Sequence, residues 1–219
     1  MTAVMKKKIL CYGDSNTWGY TPGTGVRMAE DVRWTGRLQK LLGADYQIIA
    51  CGMNARTTSF DDPYRDYLNG RKGLPYSLVP NKPIDLVIVS LGTNDLKYTN
   101  AAGSARGLSA LLDTLLHADT HMPGSSPVFH DGPKVLVISP IALGQTLDKS
   151  FPDSEIYGKY QESLRFAQVF QPVCDKFGVE MLNAAAFASA SEADCVHMAE
   201  ESHASLACAI YEKIIRMDF

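Results

Sequence analysis

Short apolar runs that alternate with segments of helical spacing are the feature that most constrains how this chain folds. The clearest run, DLVIVSL at residues 85–91, is rich in β-branched residues and has no polar alternation, which is typical of a strand buried on both faces. Strands are predicted at residues 8–12, 46–50, 85–91, 134–139 and 179–182. Apolar residues at helical spacing predict helices at residues 31–42, with Asp31 as N-cap, and at 105–117, 156–177 and 201–217.

Repeated strand–helix order predicts a parallel sheet that is covered by helices on both faces. We expect an α/β fold: a three-layer α/β/α sandwich around a five-stranded parallel, flavodoxin-like sheet, in one domain that spans residues 1–219. Two long loops are predicted, at 121–132 and 143–153. Such loops often carry specificity, although they serve equally often as mere connectors.

Composition and charge narrow the classes of partner. Hydrophobic residues make up 46% of the 219 positions, which is enough for a sizeable core. The net charge is −3 and Lys6-Lys7-Lys8 is the one cationic run, so no nucleic acid is expected as a partner. No segment approaches the roughly 20 apolar residues of a spanning helix, so no membrane partner is expected. The five cysteines are odd in number and form no CxxC pair, which favours reduced thiols in a cytoplasmic protein.

The first predicted strand ends at Gly13-Asp14-Ser15-Asn16, which places a serine hydroxyl at the carboxyl edge of the sheet, where open α/β folds carry their chemistry. Gly, Asp and Ser are also ordinary turn residues, so this loop by itself leaves a structural interpretation equally open. The second strand leads into residues 52–57 (GMNART) and the third into residues 92–95 (GTND). Turn chemistry explains one such loop more readily than three. Backbone N–H groups of these turns and the Asn94 amide are donors of the type that acyl transfer needs.

Asp194 and His197 stand three residues apart near the other end of the chain. In a turn or a first helical turn the two would share a face, and the carboxylate could then fix the tautomer of the imidazole. A serine, an acid and a histidine are the parts of an activated nucleophile, although a solvated loop pair is the simpler alternative for Asp194 and His197. His117 and His121 are spaced like a metal pair but lack a third ligand, so neither a metal nor another cofactor is expected.

Taken together, these segments resemble the SGNH hydrolases, also called the GDSL family. The four ordered blocks of that family correspond here to residues 13–19 (GDSNTWG), 52–58 (GMNARTT), 92–95 (GTND) and 194–197 (DCVH). Residues 31–36 (DVRWTG), and the run from 55–58 to 61–63, resemble a narrower branch of arylesterase/acyltransferase-like members. The resemblance covers nearly the whole chain.

The resemblance implies a role for each block. Ser15 would be the nucleophile, His197 the general base and then acid, and Asp194 the carboxylate that orients it. The oxyanion hole would consist of the backbone N–H of Ser15, the backbone N–H of Ala55 and the side-chain amide of Asn94. Ala55 replaces the usual glycine, and Asn16 stands where leucine is common. These departures bear on the backbone conformation at residue 55 and on substrate preference.

The substrate implied by the resemblance is a small-molecule ester with a short acyl group such as acetyl. Trp18, Tyr20, Phe151 and Ile156 are candidates for lining an acyl or alcohol pocket, and core packing is at least as good an account of each. The sequence does not distinguish aryl esters, acetylated sugars and thioesters as substrates. Members of the narrower branch also imply a homo-oligomer and acyl transfer to alcohols as further options.

Three other functions compete with the esterase. A flavodoxin-like protein could bind phosphate or flavin in the first loop, but the Asp14 carboxylate would repel a phosphate. A phosphatase with an aspartyl nucleophile at Asp14 would want a second carboxylate two residues on, where Asn16 stands. A non-catalytic interaction module would not need the intact serine, acid and histidine.

Overall fold

Five parallel strands form the centre of the protein in a computed structural model that describes residues 6–122, 124, 126–217 and 219. The strands are β1 (Lys7–Gly13), β2 (Tyr46–Gly52), β3 (Leu86–Ser90), β4 (Val135–Ser139) and β5 (Glu180–Asn183). Their spatial order is β2-β1-β3-β4-β5, and every neighbouring pair is parallel. This is the doubly wound order of flavodoxin-like sheets, so the predicted fold class is confirmed.

Helices cover both faces of the sheet. They are α1 (Ser15–Trp18), α2 (Trp34–Leu42), α3 (Gly70–Leu78), α4 (Ala101–Leu116), α5 (Ala118–His121), α6 (Leu147–Ser150), α7 (Tyr160–Ser163), α8 (Phe166–Phe177) and α9 (Glu200–Ile214), with 3₁₀ turns at Asp66–Leu68, Val79–Asn81, Thr93–Lys97 and Ala184–Ala186. Alternate residues of β1 point to opposite faces: Leu10 packs in the core under α3, α4 and α8, and Ile9 in the core under α2 and α9. The two cores make the sandwich three-layered.

All four predicted helices have different limits in the structure, and those expected at 105–117 and 201–217 are α4 (Ala101–Leu116) and α9 (Glu200–Ile214). The helix expected at 31–42 begins at Trp34, so the prediction that Asp31 is its N-cap was wrong. The cause is a turn in which the Ala29 carbonyl accepts the N–H groups of Val32 and Arg33, each at 3.2 Å. The helical pattern at 156–177 begins only at Tyr160, because residues 156–158 form a turn, and a second turn at Leu164 and Arg165 divides it into α7 and α8.

Helix α3 lies in a stretch for which the sequence predicted no regular structure. Gly70, Gly73 and Pro75 all lower helix propensity and hide the pattern. The helix forms because the Asn69 side chain accepts the Lys72 N–H at 3.1 Å and because its apolar residues enter the core. It covers the sheet face beside β2, next to the loop that follows β2.

Helix α9 packs against α2 and brings the C-terminal part of the chain back to β1. His203 of α9 is completely buried, and its Nδ1 atom accepts the backbone N–H of Trp34 at 3.3 Å. Burial lowers the pKa of His203 to about 4, so the ring is neutral near neutral pH. This contact fastens α9 to the first residue of α2. In the described part of the chain, no helix has the length and hydropathy of a membrane span.

Candidate active site

Ser15 is the first residue of α1, and only Asp14 separates it from the end of β1. The Asp14 side chain caps this short helix by accepting the N–H of Asn16 at 3.0 Å, and Gly19 ends the helix with φ of 91°. The turn is tightly packed, since a Cβ atom at Gly13 would lie 2.0 Å from Thr17 Oγ1 and one at Gly52 would lie 2.1 Å from the backbone nitrogen of Trp18. These two glycines therefore let the ends of β1 and β2 approach the serine turn.

A chain of hydrogen bonds links Ser15 to His197 and Asp194. The Oγ atom of Ser15 lies 2.9 Å from Nε2 of His197, and Nδ1 of His197 lies 2.7 Å from Oδ2 of Asp194. An ionised carboxylate can only accept, so Nδ1 carries the proton and Nε2 is free to accept the serine hydroxyl. The Asp194 and His197 side chains are only 17% and 15% exposed. The sequence-predicted serine, histidine and acid are therefore brought together.

Asp194 is held by several donors besides the imidazole. Its Oδ1 atom accepts the backbone N–H groups of Val196 at 3.0 Å and His197 at 2.9 Å, and its Oδ2 atom accepts the Gly23 N–H at 3.3 Å. Partial burial acts to raise the pKa of Asp194, but the hydrogen bonds from the ring and backbone of His197 and from Val196 outweigh it and hold this pKa below its ordinary value. The group is therefore an anion near neutral pH, which is the state that stabilises an imidazolium.

The two predicted oxyanion donors outside the serine turn lie on neighbouring loops. Ala55 has φ of 62°, in the left-handed region that favours glycine. The Asn94 amide donates to the carbonyl of Arg56 at 3.2 Å. An amide nitrogen carries two hydrogens, so one N–H remains for a substrate oxygen. The loops after β2 and β3 are thus joined next to both donors.

Arg56 is a buried cation beneath the ends of β1 and β2, and sequence analysis assigned it no role. Its Nη1 atom donates to the carbonyls of Gly13 at 2.8 Å and Cys51 at 2.5 Å, and its guanidinium lies 4.1 Å from the centre of the Tyr12 ring. It thereby joins the two strand ends that carry the serine turn and the Ala55 loop. Its position in the second block next to Ala55 was the available signal.

Asp95 is a second buried group that sequence analysis left without a function. It is fully buried and accepts the backbone N–H of Thr58 at 2.8 Å, the Thr58 hydroxyl at 2.7 Å and the Ser104 hydroxyl at 2.7 Å. Burial raises the pKa of Asp95 to about 7, although these hydrogen bonds oppose the shift. Burial also raises the pKa of Asp14 to about 6, against the hydrogen bond from the Asn16 N–H. Asp95, the residue that follows Asn94, thus connects the loop after β3 to the loop after β2 and to α4.

Asn16 is buried, and its side chain faces the histidine loop. Its Oδ1 atom accepts the backbone N–H of Met198 at 2.9 Å. A polar residue replaces a common leucine at this position, and the replacement was expected to influence substrate preference. The structure places the side chain in a contact between the nucleophile turn and the residue after His197. The polar replacement itself was the signal that a buried partner existed.

The four candidate substrate-lining residues have different surroundings. The Tyr20 ring stacks on the His197 imidazole with centroids 4.0 Å apart, and Trp18 lies 6.5 Å from Tyr20. Phe151 lines a hollow of about 420 Å³ that also borders Asp194. Ile156 is buried in the core and does not line this hollow. Tyr20 therefore contacts the histidine, Phe151 lies beside the acid, Trp18 adjoins Tyr20, and Ile156 is a core residue.

Cys195 lies between the acid and the histidine and is completely buried. Its φ is 60°, its carbonyl accepts the Gly144 N–H at 2.7 Å, and its Sγ lies 3.3 Å from Thr146 Oγ1. The loop after β4 thus supports the turn that carries Asp194 and His197. His117 and His121 lie at the surface, and no group of three metal-ligating side chains occurs among the described residues.

Comparison with known proteins agrees with this arrangement. The GDSL-like Lipase/Acylhydrolase family matches residues 11–204. The native aryl esterase of M. smegmatis is 36% identical with a TM-score of 0.86, over 95% of this chain and 98% of that chain. A carbohydrate acetylesterase from Sinorhizobium meliloti is 33% identical with a TM-score of 0.87, over 96% of this chain and 99% of that chain. An acetylxylan esterase from Xylanibacter ruminicola is 33% identical over 95 residues, which are 42% of this chain and 18% of that protein's length.

A serine, a histidine and an aspartate at the carboxyl edge of a parallel sheet, together with these relatives, define a serine esterase, a hydrolase of carboxylic ester bonds. The chain belongs to the GDSL-like lipase/acylhydrolase family. The resemblance to SGNH hydrolases is thereby confirmed, and the flavodoxin-like phosphate- or flavin-binding alternative is not favoured.

Proposed function

We propose that this protein removes short acyl groups, acetyl above all, from small esters through an acyl-enzyme on Ser15. The observation that carries the proposal is the chain of hydrogen bonds at 2.9 and 2.7 Å from Ser15 through His197 to Asp194. Such a chain activates a serine hydroxyl that would otherwise be a weak nucleophile.

In the first half of the proposed reaction, Ser15 Oγ attacks the ester carbonyl while Nε2 of His197 takes the hydroxyl proton. The carbonyl oxygen becomes an oxyanion, and the Asp194 anion stabilises the imidazolium. The tetrahedral intermediate then loses its alcohol, to which His197 returns the proton, and an acyl-Ser15 ester is left. In the second half, water attacks this ester with His197 again as base, and the acid and free Ser15 are released.

Three donors would stabilise the oxyanion: the backbone N–H groups of Ser15 and Ala55 and the Asn94 amide. The proposal is supported by the bond from Asn94 to the Arg56 carbonyl, which orients the amide next to the Ala55 loop. Donors held in place before the reaction need no reorganisation when charge develops. The Arg56 bridge between the ends of β1 and β2 supports the same rigidity.

The alcohol part of the substrate is proposed to be an aryl group or an acetylated sugar. The aryl esterase and the carbohydrate acetylesterase among the structural relatives support this choice. The Trp18 ring, whose centroid lies 6.5 Å from that of Tyr20, and the hollow of about 420 Å³ that Phe151 lines offer surfaces for such a group.

The test is a serine-directed organophosphonate together with a panel of acetyl, butyryl and octanoyl p-nitrophenyl esters. We expect an adduct on Ser15, located by mass spectrometry, complete loss of activity on labelling, and the highest kcat/KM for the acetyl ester. Ser15→Ala serves as the control and should neither form the adduct nor hydrolyse any ester. Full activity after labelling, or an adduct elsewhere only, would refute the assignment.

A second panel tests which alcohol part of the ester is preferred and which acceptor takes the acyl group. Phenyl acetate and acetylated xylo-oligosaccharides are compared as substrates, and ethanol is added as a competing acceptor. Formation of an ethyl ester in place of the free acid would establish acyl transfer beside hydrolysis. Equal turnover of an octanoyl ester would contradict the short-acyl proposal.

We also infer that copies of this chain associate with one another. Tyr64, Tyr67 and Tyr76 are 92%, 65% and 84% exposed, and tyrosine is enriched at protein interfaces. Sedimentation of the wild type and of a variant with serine at these three positions tests the inference, since the variant should have the lower mass. An unchanged mass would exclude these tyrosines from the interface.

A cytoplasmic location is proposed on the state of the cysteines. All five lie in the described part of the chain and none of them forms a disulfide. Cell fractionation with an antibody against the native protein tests the location, and recovery outside the cytoplasm would contradict it.

A further inference from the structure

The chain segment that follows the nucleophile stays in contact with the acid–histidine turn. Residues 16–23 touch residues 194–198 at three separate points, through Asn16, Tyr20 and Gly23. None of these three residues takes part in the hydrogen-bond chain of Ser15, His197 and Asp194. Two of the contacts are hydrogen bonds and the third is an aromatic stack.

The contact of Asn16 is a buried hydrogen bond. Its Oδ1 atom accepts the N–H of Met198 at 2.9 Å, one residue beyond the histidine. A backbone N–H buried without a partner is strongly disfavoured, so this bond specifies where the chain leaves His197. The bond also couples Met198 to the nucleophile, because Asn16 directly follows Ser15 in α1.

The contact of Tyr20 is an aromatic stack. Its ring lies on the His197 imidazole with centroids 4.0 Å apart and an angle of 23° between the planes. This position limits rotation of the imidazole out of the plane that joins Ser15 and Asp194. An aromatic face also favours the cationic imidazolium that forms during turnover.

Gly23 lies in a small hairpin of residues 20–27 and contacts Asp194 through its backbone N–H. Its N–H donates to Oδ2 of Asp194 at 3.3 Å, the same oxygen that accepts the His197 ring proton. The hairpin is closed by the Thr21 N–H bonded to the Val26 carbonyl at 2.9 Å and by an antiparallel bridge between Tyr20 and Arg27. Gly23 has φ of 73°, which aims its N–H without steric cost.

The acid–histidine turn needs such support because it has little regular structure of its own. Residues 192–197 are turns and bends, and Cys195 within them has φ of 60°. A catalytic group that is misplaced by about 1 Å can lose about a hundredfold in rate. Helix α9 begins only at Glu200, after the histidine.

We propose that Asn16, Tyr20 and Gly23 are positioning residues that hold Asp194 and His197 in register with Ser15, an inference that rests on the proposed esterase function. Residues 16–23, which directly follow the nucleophile, thereby align the histidine base with it. Tyr20 in this role acts on the histidine, whatever substrate group it also touches.

The test uses single-residue variants of the 219-residue chain. Tyr20→Leu removes the ring, and Asn16→Leu removes the acceptor while keeping a similar volume. Each is expected to lower kcat about tenfold with little change in KM, because transition-state alignment is lost and ground-state binding is kept. Tyr20→Phe keeps the ring and should restore kcat to within about threefold of wild type. Val26→Thr, on the same hairpin but with a side chain 67% exposed, should leave kcat unchanged.

The ester panel separates positioning from substrate contact. A positioning residue lowers kcat by the same factor for acetyl, butyryl and octanoyl esters. A KM change that depends on acyl length in Tyr20→Leu would instead make Tyr20 a wall of the pocket and overturn its positioning role. An unchanged kcat in both leucine variants would overturn the proposal as a whole.

A spectroscopic measurement does not depend on turnover. The proton on Nδ1 of His197 gives a low-field ¹H resonance when its bond to Asp194 is held in place. We expect a sharp signal in the wild type and in Tyr20→Phe, and a broadened signal in Tyr20→Leu and Asn16→Leu that still show wild-type circular dichroism. Sharp signals in both leucine variants would contradict the inference. Absent Ser15 labelling in the wild type would contradict the esterase function instead, so the two failures are distinguishable.

Discussion

The Nε2 atom of His197 lies 2.9 Å from the Oγ atom of Ser15, although 182 residues separate them in the chain. The contact depends on the packing of α9 against α2, which returns the C-terminal part of the chain to the carboxyl end of β1. The buried bond from the Trp34 N–H to His203 fastens the two helices together. The site therefore forms only when the whole chain has folded.

Replacement of Asn94 tests the side-chain donor of the oxyanion hole. Asn94→Ala is expected to lower kcat about a hundredfold, because one oxyanion donor contributes about 2.7–4 kcal/mol to the transition state. Steady-state kinetics with p-nitrophenyl acetate gives the loss, and circular dichroism verifies the fold. Asn100→Ala is the matched control, since Asn100 caps α4 through the Gly103 N–H at 2.9 Å and should affect only stability, by about 1 kcal/mol. An unchanged rate in Asn94→Ala would remove Asn94 from the mechanism.

Replacement of Ala55 tests whether its donor is the backbone. Ala55→Gly should keep kcat, because the N–H remains, and should change the free energy of unfolding by less than about 1 kcal/mol, because relief of the left-handed strain and the greater freedom of the unfolded chain oppose each other. Ala55→Val places a β-branched residue at φ of 62° and should destabilise the protein. Urea unfolding measures both variants. A large loss of kcat in Ala55→Gly would show that the methyl group itself is needed.

Replacement of Asp95 tests the buried carboxyl beneath Asn94. Its folded pKa of about 7 lies above the ordinary value of 3.8, so its contribution to stability is fully present below pH 3.8 and is lost as pH rises through 7. Asp95→Asn lacks this titration. The variant should therefore gain stability relative to wild type between about pH 4 and 7, by a few kcal/mol. Urea unfolding at a series of pH values measures the difference, and parallel pH profiles for the two proteins would contradict it.

Replacement of His203 tests a buried group whose pKa is lowered, so that its effect on stability has the opposite dependence on pH. Its folded pKa of about 4 lies below the ordinary value of 6.5, so its contribution to stability is present above pH 6.5 and is lost as pH falls through 4. His203→Asn keeps an acceptor for the Trp34 N–H but does not titrate. Between pH 6.5 and 4 the wild type should lose roughly 2–4 kcal/mol more than this variant. Thermal unfolding followed across that range decides, and an equal acid sensitivity of both proteins would refute the role of His203.

Much of the fold could be predicted because its signals are local. A run such as that of β3 is buried on both faces of a parallel sheet and appears as continuous apolar sequence. Helix α3 could not be predicted, since Gly70, Gly73 and Pro75 have poor propensity and the helix owes its stability to core packing and the Asn69 cap. The start of α2 at Trp34 likewise depends on the hydrogen bonds of the preceding turn.

By itself, the amino-acid sequence determined the alternation of strands and helices and the residue types at the ends of three strands, because apolar periodicity and turn chemistry act over a few neighbouring residues. Only the tertiary structure decided that Asn16 bonds to Met198, that Tyr20 stacks on His197 and that Asp95 supports the loop of Thr58. The physical reason is that a buried polar group is satisfied by whichever partner the folded chain brings within about 3 Å, however distant in sequence.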